Sequence, residues 1–307
     1  MRIVFFGTPL FAVPSLRALL HSDDEVAAVV TQPDKRRGRG SAVLPSPVKE
    51  IAAGSGIRIL QPSFLKEPFF LDTLAHLHPE LVVVVAYGKI LPPQVLQIPR
   101  YGCINVHASL LPQYRGAAPV QWALIHGEKK TGITTMRMDE GLDTGDMLLQ
   151  EEVMISADDT ATTLGERLAE TGASVLMRTI ADLKDGSLHP VPQKGSPSYA
   201  PPLRKEDGKI VWTKTAPEIF NLVRGTYPWP GAYCHLNAER IKITRVGVLE
   251  GHGMPGRIEE TGEALVVGTG KGRISLMELQ PEGKRLMSGK DFLQGRRLKK
   301  GAFFDES

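Results

Sequence analysis

Reactive polar side chains follow directly on an apolar stretch in the segment 105–119. Residues 102–104 have the pattern of the end of a buried strand, and alternation along that strand would place Asn105 and His107 on one face. An amide can donate to a developing oxyanion, and an imidazole can move a proton. In open α/β sheets, ligands bind in the crevice beyond the carboxyl ends of the strands. The pattern therefore predicts a reaction centre where this strand opens into a loop containing proline and glycine.

An acidic, glycine-rich loop at residues 138–146 supplies a third chemical group. Its simplest interpretation is an ordinary turn between two strands, since Gly and Asp are common turn residues. A calcium loop would need alternating oxygen ligands and a closing glutamate, which this segment lacks. If the loop lies near His107, however, the Asp143 carboxylate could orient the imidazole. Asn105, His107 and Asp143 together would supply the catalytic groups for an acyl transfer in which the protein provides no nucleophile.

Other catalytic motifs fit the chain poorly. The first loop, residues 7–12, lacks the second and third glycines of a dinucleotide fingerprint, and the sequence has no Gly-x4-Gly-Lys-Ser/Thr phosphate loop. We therefore expect neither a nicotinamide cofactor nor ATP. The two cysteines, Cys103 and Cys234, are too far apart in sequence for a zinc-site spacing. Cys103 shares a face with His107, but its position within the strand would bury the thiol and suppress thiolate formation.

Predicted strands and helices alternate over residues 1–188. The run 81–86 is unbroken and apolar, as in strands of a parallel sheet that are buried on both faces. This alternation predicts an α/β domain with a doubly wound, mostly parallel, Rossmann-like sheet. Residues 189–208 are rich in proline and predict an extended linker. Short alternating runs in residues 209–307 predict a small β-barrel of the oligonucleotide-binding (OB) type.

The composition indicates a soluble enzyme of two domains. The chain has 307 residues, of which 42% are hydrophobic and 23% charged. Chains of this length usually divide into more than one domain, each with its own hydrophobic core. The net charge of +3 is uneven, because residues 209–307 carry 16 Lys and Arg against 11 Asp and Glu, and residues 1–208 carry a net −2. The short apolar run in residues 1–6 fits neither a signal peptide nor a membrane span. We expect a cytoplasmic protein without a membrane partner.

Several motifs together resemble a known family. The pattern Asn105-x-His107-x-Ser109-Leu110-Leu111-Pro112, with Asp143 in Gly141-Leu142-Asp143-Thr144-Gly145, resembles the signature of formyltransferases and hydrolases that use 10-formyltetrahydrofolate. Within that superfamily, further segments are similar to the methionyl-tRNA formyltransferase family: residues 6–9, 31–34, 38–40, 45–49 and 114–119. The resemblance covers essentially the whole chain.

The resemblance implies transfer of a formyl group from 10-formyltetrahydrofolate to the α-amine of methionine on initiator tRNA, for translation initiation. It implies that Asn105 and a protonated His107 stabilise charge on the formyl oxygen, while Asp143 holds the imidazole and helps to remove the amine proton through water. It implies that no metal ion is required, because the leaving group is an activated anilide-like nitrogen. The residues that it places against the folate are Tyr87, Gly88, Ile90, Leu91, Ser109, Leu110, Leu111, Pro112, Asp139, Glu140 and Gly141.

The basic loop at residues 34–41 indicates the acceptor. Cations near the expected crevice suit the phosphates of an acceptor stem, whereas a small nucleotide substrate would not need them. The alternative is a mobile surface loop with solvated cations, and the basic run 295–301 could likewise be only a solvated face. The resemblance singles out Arg39 as a contact with the first base pair or the terminal unpaired region. The full set of predicted tRNA contacts is Lys35, Arg36, Arg37, Arg39, Lys49, Arg296, Arg297, Lys299 and Lys300.

Two alternatives remain open on the sequence alone. A related enzyme could formylate a nucleotide-linked amine, such as an amino sugar or glycinamide ribonucleotide, but it would lack the basic loop or carry a different second domain. A non-catalytic tRNA-binding protein on the same scaffold should have lost one of Asn105, His107 and Asp143, and all three are present. We expect an active one-carbon transferase that acts as a monomer.

Overall fold

The chain divides into two compact units. The computed structural model describes residues 1–36, 43–260, 264–296 and 298–305. The N-terminal unit comprises residues 1–119, 130–154 and 165–201, and the C-terminal unit comprises residues 120–129, 155–164 and 202–307. The domain boundaries predicted at residues 188 and 208 stay a prediction, although the proline-rich segment as far as residue 201 belongs to the N-terminal unit.

Strands and helices alternate in the first part of the chain. The strands are β1 (Arg2–Gly7), β2 (Glu25–Val30), β3 (Lys35–Arg36), β4 (Val43–Leu44), β5 (Ile59–Leu60), β6 (Leu81–Val85), β7 (Cys103–His107), β8 (Lys130–Arg137) and β9 (Met147–Met154). The helices are α1 (Val13–Leu20), α2 (Pro47–Gly54), α3 (Pro68–His76), α4 (Pro93–Leu96), α5 (Pro119–Ile125) and α6 (Ala161–Asp185). Prolines open α2, α3 and α4, at the first turn where no backbone donor is needed.

Seven of these strands form one sheet, in the order β5-β2-β1-β6-β7-β8-β9. The neighbours from β5 to β7 run parallel, and β8 and β9 are antiparallel. The predicted mostly parallel, Rossmann-like sheet is therefore confirmed. Every residue of β6 is buried, as expected for a strand that is covered on both faces. β3 and β4 form a separate pair that the sequence patterns did not predict, because two residues carry too little periodicity.

One face of this sheet packs in a single hydrophobic cluster. Alternate buried residues of β1, β2 and β6 contribute to it, together with Phe70 and Leu74 of α3. Each such side chain contributes about 1.5–3 kcal/mol when buried, so a slip of one residue in register would be costly. Cys103 at the start of β7 joins the same cluster. Asn105 and His107 therefore continue along the face that this core defines.

The second unit is built around a six-stranded antiparallel sheet. Its strands are β10 (Ala232–Leu236), β11 (Glu239–Leu249), β12 (Ile258–Glu260), β13 (Leu265–Gly268), β14 (Arg273–Pro281) and β15 (Met287–Ser288), and its helices include α7 (Ala216–Thr226) and α8 (Gly289–Arg296). The strand order is β10-β11-β14-β13-β12, with β15 on β14. A curled antiparallel sheet following the Rossmann-like sheet confirms the predicted fold class. The sequence patterns did not predict β15 or α8.

The core of the second unit also follows the expected alternation. Ala232, Cys234 and Leu236 of β10 are buried, whereas the residues between them are partly exposed. α7 begins with a capping box, in which Thr215 and Glu218 each bond the other's backbone N–H. Among the described helices of the chain, none combines the length and the apolar character needed to cross a membrane.

Candidate active site

β7 presents the two polar side chains on which the site is built. The strand pairs with β6 on one side and β8 on the other, so its register is fixed from both sides. His107 is buried and Asn105 is half-buried. Cys103 lies on the same face with 1% exposure, and burial raises the pKa of its thiol to about 12. This agrees with the expectation that Cys103 is a core residue rather than a nucleophile.

His107 is held through one ring nitrogen and faces a carboxylate with the other. Its Nε2 lies 2.9 Å from the carbonyl oxygen of Tyr114. Because a carbonyl oxygen only accepts, this nitrogen carries a hydrogen. Its Nδ1 faces Oδ2 of Asp143 across 3.7 Å, which is longer than a direct hydrogen bond. The Tyr114 carbonyl is itself fixed, since the Tyr114 N–H donates to the Ser198 hydroxyl at 2.9 Å. The hydrogen bond at Nε2 therefore orients the ring, and Nδ1 can still form a hydrogen bond with a substrate atom.

The Asp143 carboxylate lies next to both of the other predicted catalytic residues. The residue has a left-handed backbone, with φ of 53°, a conformation that Asp tolerates better than most residues. Its Oδ2 accepts from the Gly116 N–H at 2.8 Å, and its Oδ1 lies 3.5 Å from Nδ2 of Asn105. The side chain is 14% exposed. The carboxylate is thus anchored firmly to the backbone and only loosely to Asn105 and His107.

Two loops approach from different ends of β7 to bring these groups together. One loop leaves β7 after His107, and the other begins beside Cys103, whose carbonyl accepts from the Met138 N–H at 2.8 Å. The second loop is shaped by Asp139, whose Oδ1 accepts from the Gly141 N–H at 3.0 Å and the Thr144 hydroxyl at 2.6 Å. The structure therefore brings together the three predicted catalytic side chains. Their chemical roles stay a prediction.

The predicted folate wall at residues 109–112 is tied to β8 and β9. Ser109 is fully buried, and its hydroxyl donates to the Gln113 carbonyl at 2.5 Å. The Thr134 hydroxyl donates to the Ser109 carbonyl at 2.7 Å, and Gln150 Nε2 donates to the Leu111 carbonyl at 2.9 Å. Leu110 and Pro112 are half-buried. The Ser109 hydroxyl thus bonds within its own loop. The predicted folate wall is held in place by hydrogen bonds to β8 and β9.

The segment 87–91 divides into buried and exposed parts. Tyr87 is 1% exposed and packs edge-on against Phe6, with ring centroids 5.2 Å apart. The side chain therefore belongs to the core, and this burial raises the pKa of Tyr87 to about 12. Gly88 has φ of 80°, and a side chain there would crowd Gln32. Ile90, by contrast, is 75% exposed.

A pocket of about 950 Å³ lies in the N-terminal unit next to these residues. Ile90, Leu91 and Glu140, which were predicted to contact folate, contribute to its walls. The remaining walls come from residues that the sequence patterns did not single out: Ser63, Phe64, Leu65, Lys66, Glu67, Pro68, Lys89, Pro92 and Pro93. The Lys89 ammonium donates to the Ser63 carbonyl at 2.7 Å, which ties the two sides together.

Two of the predicted tRNA contacts are engaged in ion pairs. The Lys49 ammonium lies 2.5 Å from Asp34 Oδ2, and hydrogen bonds from Lys49 and Gln61 hold the pKa of Asp34 below its usual range. Arg296 pairs with Glu239. Lys299 and Lys300 are exposed. Of Lys35 and Arg36 only the backbone, in β3, is described, and Arg37, Arg39 and Arg297 lie outside the described residues.

The structure also brings residues to the site that the sequence analysis missed. Gln193 Nε2 donates to the carbonyls of Asp143 and Gly145 at 2.8 and 2.9 Å. Its Oε1 accepts from Arg115 Nε and Nη2 at 3.1 and 2.7 Å. Arg115 and Gly116 lay within a family-like motif, but Gln193 lay in a proline-rich segment that predicted only a linker. No local pattern indicated that this segment runs beside the site.

In the described part of the chain, no group of three or more His, Cys, Asp or Glu side chains is arranged to hold a metal ion. The donors around Asp143 are instead an amide, an imidazole and a backbone N–H. The amide and imidazole can hold an anionic oxygen, and the Asp143 carboxylate can orient the imidazole and accept a proton. The arrangement suits group transfer at a carbonyl carbon.

Comparison with known proteins agrees with this class of chemistry. Residues 1–180 match the formyl transferase family, and residues 202–297 match the C-terminal domain of formyl transferases. The chain belongs to the formyl transferase family. It is similar to the methionyl-tRNA formyltransferase of Thermodesulfovibrio yellowstonii, with 52% identity over 97% of each chain. It is also 53% identical to that of Pelotomaculum thermopropionicum, over 100% of this chain and 99% of the relative. The expected family is confirmed.

Solved structures share the fold at low sequence identity. WlaRD, a sugar 3N-formyl transferase crystallised in the presence of dTDP and 5-N-formyl-THF, has a TM-score of 0.68 at 21% identity and covers 93% of this chain and 99% of its own. A methionyl-tRNA formyltransferase from Clostridium thermocellum has a TM-score of 0.57 at 18% identity, over 80% of this chain and 93% of its own. At these identities the likeness concerns the fold alone.

Proposed function

We propose that this protein transfers a formyl group from 10-formyltetrahydrofolate to the α-amino group of methionine on initiator tRNA. The observation that carries the chemistry is the convergence of Asn105, His107 and Asp143, with Asp143 within 3.5 Å of Asn105 and 3.7 Å of His107. The similarity of about half the residues, over the full chain, to methionyl-tRNA formyltransferases supports the acceptor. The substrate would be met in the cytoplasm, where translation begins.

In the proposed reaction, the neutral methionine amine attacks the formyl carbon, and charge develops on the formyl oxygen. Asn105 Nδ2 and, in the imidazolium form, Nδ1 of His107 can donate to that oxygen, while the Nε2–H stays bonded to the Tyr114 carbonyl. The bond between the formyl carbon and N10 of the folate then breaks. The proton lost by the amine passes through water to Asp143 and from there to the departing N10 nitrogen.

The loose contacts of Asp143 fit this sequence of events. Distances of 3.5 and 3.7 Å leave Asn105 and His107 able to turn their donors to a substrate oxygen. The firm bond from Gly116 keeps the carboxylate in place meanwhile. The folate would lie along residues 109–112 and the exposed part of the segment 87–91, with Glu140 at the pocket. The rigid anchoring of Ser109 and Leu111 suits a wall that must hold a flat ring system.

The experiment that tests the function compares acceptors. Purified protein is given 10-formyltetrahydrofolate carrying a labelled formyl group, with initiator Met-tRNA, elongator Met-tRNA or an amino-sugar nucleotide. We expect label to appear on initiator Met-tRNA far faster than on the other acceptors. Formylation of the amino-sugar nucleotide with none of Met-tRNA would contradict the proposed acceptor.

A second arm tests the chemistry. His107→Ala should abolish turnover and leave tRNA binding largely intact, because the imidazole acts on the reacting oxygen. His76→Ala is a matched control, since His76 is an exposed histidine on α3. Normal turnover by His107→Ala would refute the assigned roles.

A further inference from the structure

The proline-rich segment 191–200 of the N-terminal unit runs along both loops of the candidate active site. At one end of the segment, Met147 and Val191 exchange backbone hydrogen bonds of 2.9 and 2.8 Å. At the other end, the Ala200 N–H donates to the Arg115 carbonyl at 2.7 Å. The segment is therefore bonded to the chain on two sides of the site, although its prolines predicted only an extended linker.

The side chains of this segment differ sharply in exposure. Gln193, Ser198 and Ala200 are buried or half-buried, and the other residues of the segment are exposed. A stretch with so little buried apolar surface gains little from the hydrophobic effect. Hydrogen bonds therefore hold it in place. The inward side chains that can form such bonds are Gln193 and Ser198, and each of them reaches one of the two loops.

Gln193 binds the backbone of the loop that carries Asp143. Its Nε2 donates to the carbonyls of Asp143 and Gly145, and its Oε1 accepts from Nε and Nη2 of Arg115. These bonds use both donors and both acceptor positions of the amide. The turn at Asp143 is left-handed, and such a backbone persists only where its surroundings hold it. Because Arg115 belongs to the loop after β7, Gln193 joins the two loops of the site.

Ser198 binds the other loop, next to the atom that orients the His107 ring. Its hydroxyl accepts from the Tyr114 N–H at 2.9 Å, and the Tyr114 carbonyl in turn accepts from His107 Nε2 at 2.9 Å. Tyr114 has φ of 60°, which is uncommon for a bulky residue. The bond to Ser198 fixes this backbone, so its loss would let the Tyr114 carbonyl turn and the imidazole turn with it.

Ala200 supports the remaining anchor of the Asp143 carboxylate, which is the Gly116 N–H. The residues on either side of Gly116 are bonded to Ala200, whose N–H donates to the Arg115 carbonyl and whose carbonyl accepts from the Ala118 N–H at 3.1 Å. Gly116 has φ of 122°, and a side chain there would lie 2.7 Å from the Ala200 carbonyl oxygen. The segment thus also fixes the backbone that carries this N–H.

We propose that Gln193 and Ser198 are positioning residues that together set the separation between Asp143 and His107. Gln193 acts through the Asp143 backbone, and Ser198 acts through the Tyr114 carbonyl. This inference rests on the proposed function, because the separation of 3.7 Å matters to the rate only if both groups act on the reacting atoms. A displacement of about 1 Å at such groups can cost about a hundredfold in rate.

Gln113 provides the comparison with simple attachment of the segment. Its Nε2 donates to the Ser196 carbonyl at 3.1 Å. It therefore ties the same segment to the loop after β7, but its side chain is bonded to neither Asp143 nor His107. If the segment only had to be attached, Gln113 would matter to the reaction as much as Gln193. On the proposed role, only Gln193 and Ser198 matter.

Steady-state formyl transfer tests the proposal through Gln193. Gln193→Ala should lower kcat about tenfold to a hundredfold, as for small displacements of reacting groups, with KM for the folate and tRNA affinity within about twofold. Gln193→Glu keeps an acceptor for Arg115 but loses both donors. It should show at least the same loss, even if the alanine variant folds poorly.

The variants of Ser198 test the other half of the proposal. Ser198→Ala should lower kcat about tenfold, because the His107 ring loses its fixed orientation. Ser198→Thr keeps a hydroxyl that can accept from the Tyr114 N–H, and it should recover most of the lost rate. Gln113→Ala is the matched control and should keep the kcat of the unaltered protein.

A second measurement does not depend on catalysis. In the free protein, the NMR signal of the His107 Nε2–H reports its bond to the Tyr114 carbonyl, and the amide signal of Gly116 reports its bond to the Asp143 carboxylate. Ser198→Ala should shift the His107 signal, which His107→Ala identifies by its loss. Gln193→Ala and Gln193→Glu should shift the Gly116 signal. Gln113→Ala should leave both signals in place.

These measurements separate this inference from the proposed function. In an active protein, an unchanged kcat in Gln193→Glu and Ser198→Ala would overturn the positioning role, and so would an equal loss in Gln113→Ala. In a protein that formylates no tRNA, shifted His107 and Gly116 signals would support the positioning of the two side chains while the proposed function fails. Unchanged signals in that protein would overturn both.

Discussion

Asp143→Asn is the sharpest test of how the site works. The substitution preserves shape and left-handed backbone, which Asn adopts readily, and the new amide oxygen can still accept from the Gly116 N–H. What changes is the charge facing His107 at 3.7 Å. With an effective dielectric constant of ~20, a carboxylate and an imidazolium at that separation attract each other by about 4.5 kcal/mol.

If that attraction stabilises the transition state, its loss corresponds to a fall in kcat of about 10³-fold. The assay is single-turnover formyl transfer at saturating folate and Met-tRNA, with the thermal midpoint as a check on folding. Stability should change by less than about 1 kcal/mol, since the backbone hydrogen bond remains.

A double variant that combines Asp143→Asn with His107→Ala measures the coupling between the two side chains. If the two side chains act as a unit, the double variant should be scarcely slower than the slower single variant. A folded Asp143→Asn protein with kcat within about threefold of the unaltered protein would refute the electrostatic reasoning. Strictly additive losses in the double variant would refute the coupling between Asp143 and His107.

Four further outcomes are expected. Cys103, with a pKa raised to about 12 by burial, should not react with a disulfide reagent until the protein unfolds, and Cys103→Ala should retain transferase activity. Burial raises the pKa of Asp24, but hydrogen bonds from Lys184 and the Met1 ammonium outweigh burial and hold that pKa below its usual range. A carboxyl group whose pKa is lowered in the folded state contributes stability that is present above its unfolded-state pKa and is lost as the pH falls through its folded-state pKa. Asp24→Asn should therefore cost about 1–3 kcal/mol of unfolding free energy at pH 7 and less at pH 3, as denaturant titrations would measure. Gly145→Ala should lower kcat at least tenfold in the transfer assay, because the added methyl would collide with the Arg137 carbonyl and displace the Asp143 loop. Arg39→Ala should raise KM for initiator tRNA with an unchanged thermal midpoint, and unaltered kinetics would remove the basic loop from recognition.

Local patterns were sufficient for much of the fold and for half of the site. Alternation along β7 placed Asn105 and His107 on one face and buried Cys103, because the side-chain period of a strand is a property of neighbouring residues. The run 81–86 predicted a strand buried on both faces, and β6 is one. The short strand β15 and the short helix α8, which contains Gly289 and Gly295, carried too few periodic residues to be predicted.

Only the tertiary structure decided what surrounds those side chains. Asp143, Gly116 and Gln193 meet because β8 runs antiparallel to β7 and the segment 191–200 returns along both loops. Such contacts depend on the register of distant segments, for which no local period exists. The same holds for charge: Lys49 and Arg296 were predicted from the sequence to contact tRNA, yet each is paired with a carboxylate that folding brings beside it. The sequence by itself determined which groups could react, and the packing of separate segments decided which of them meet.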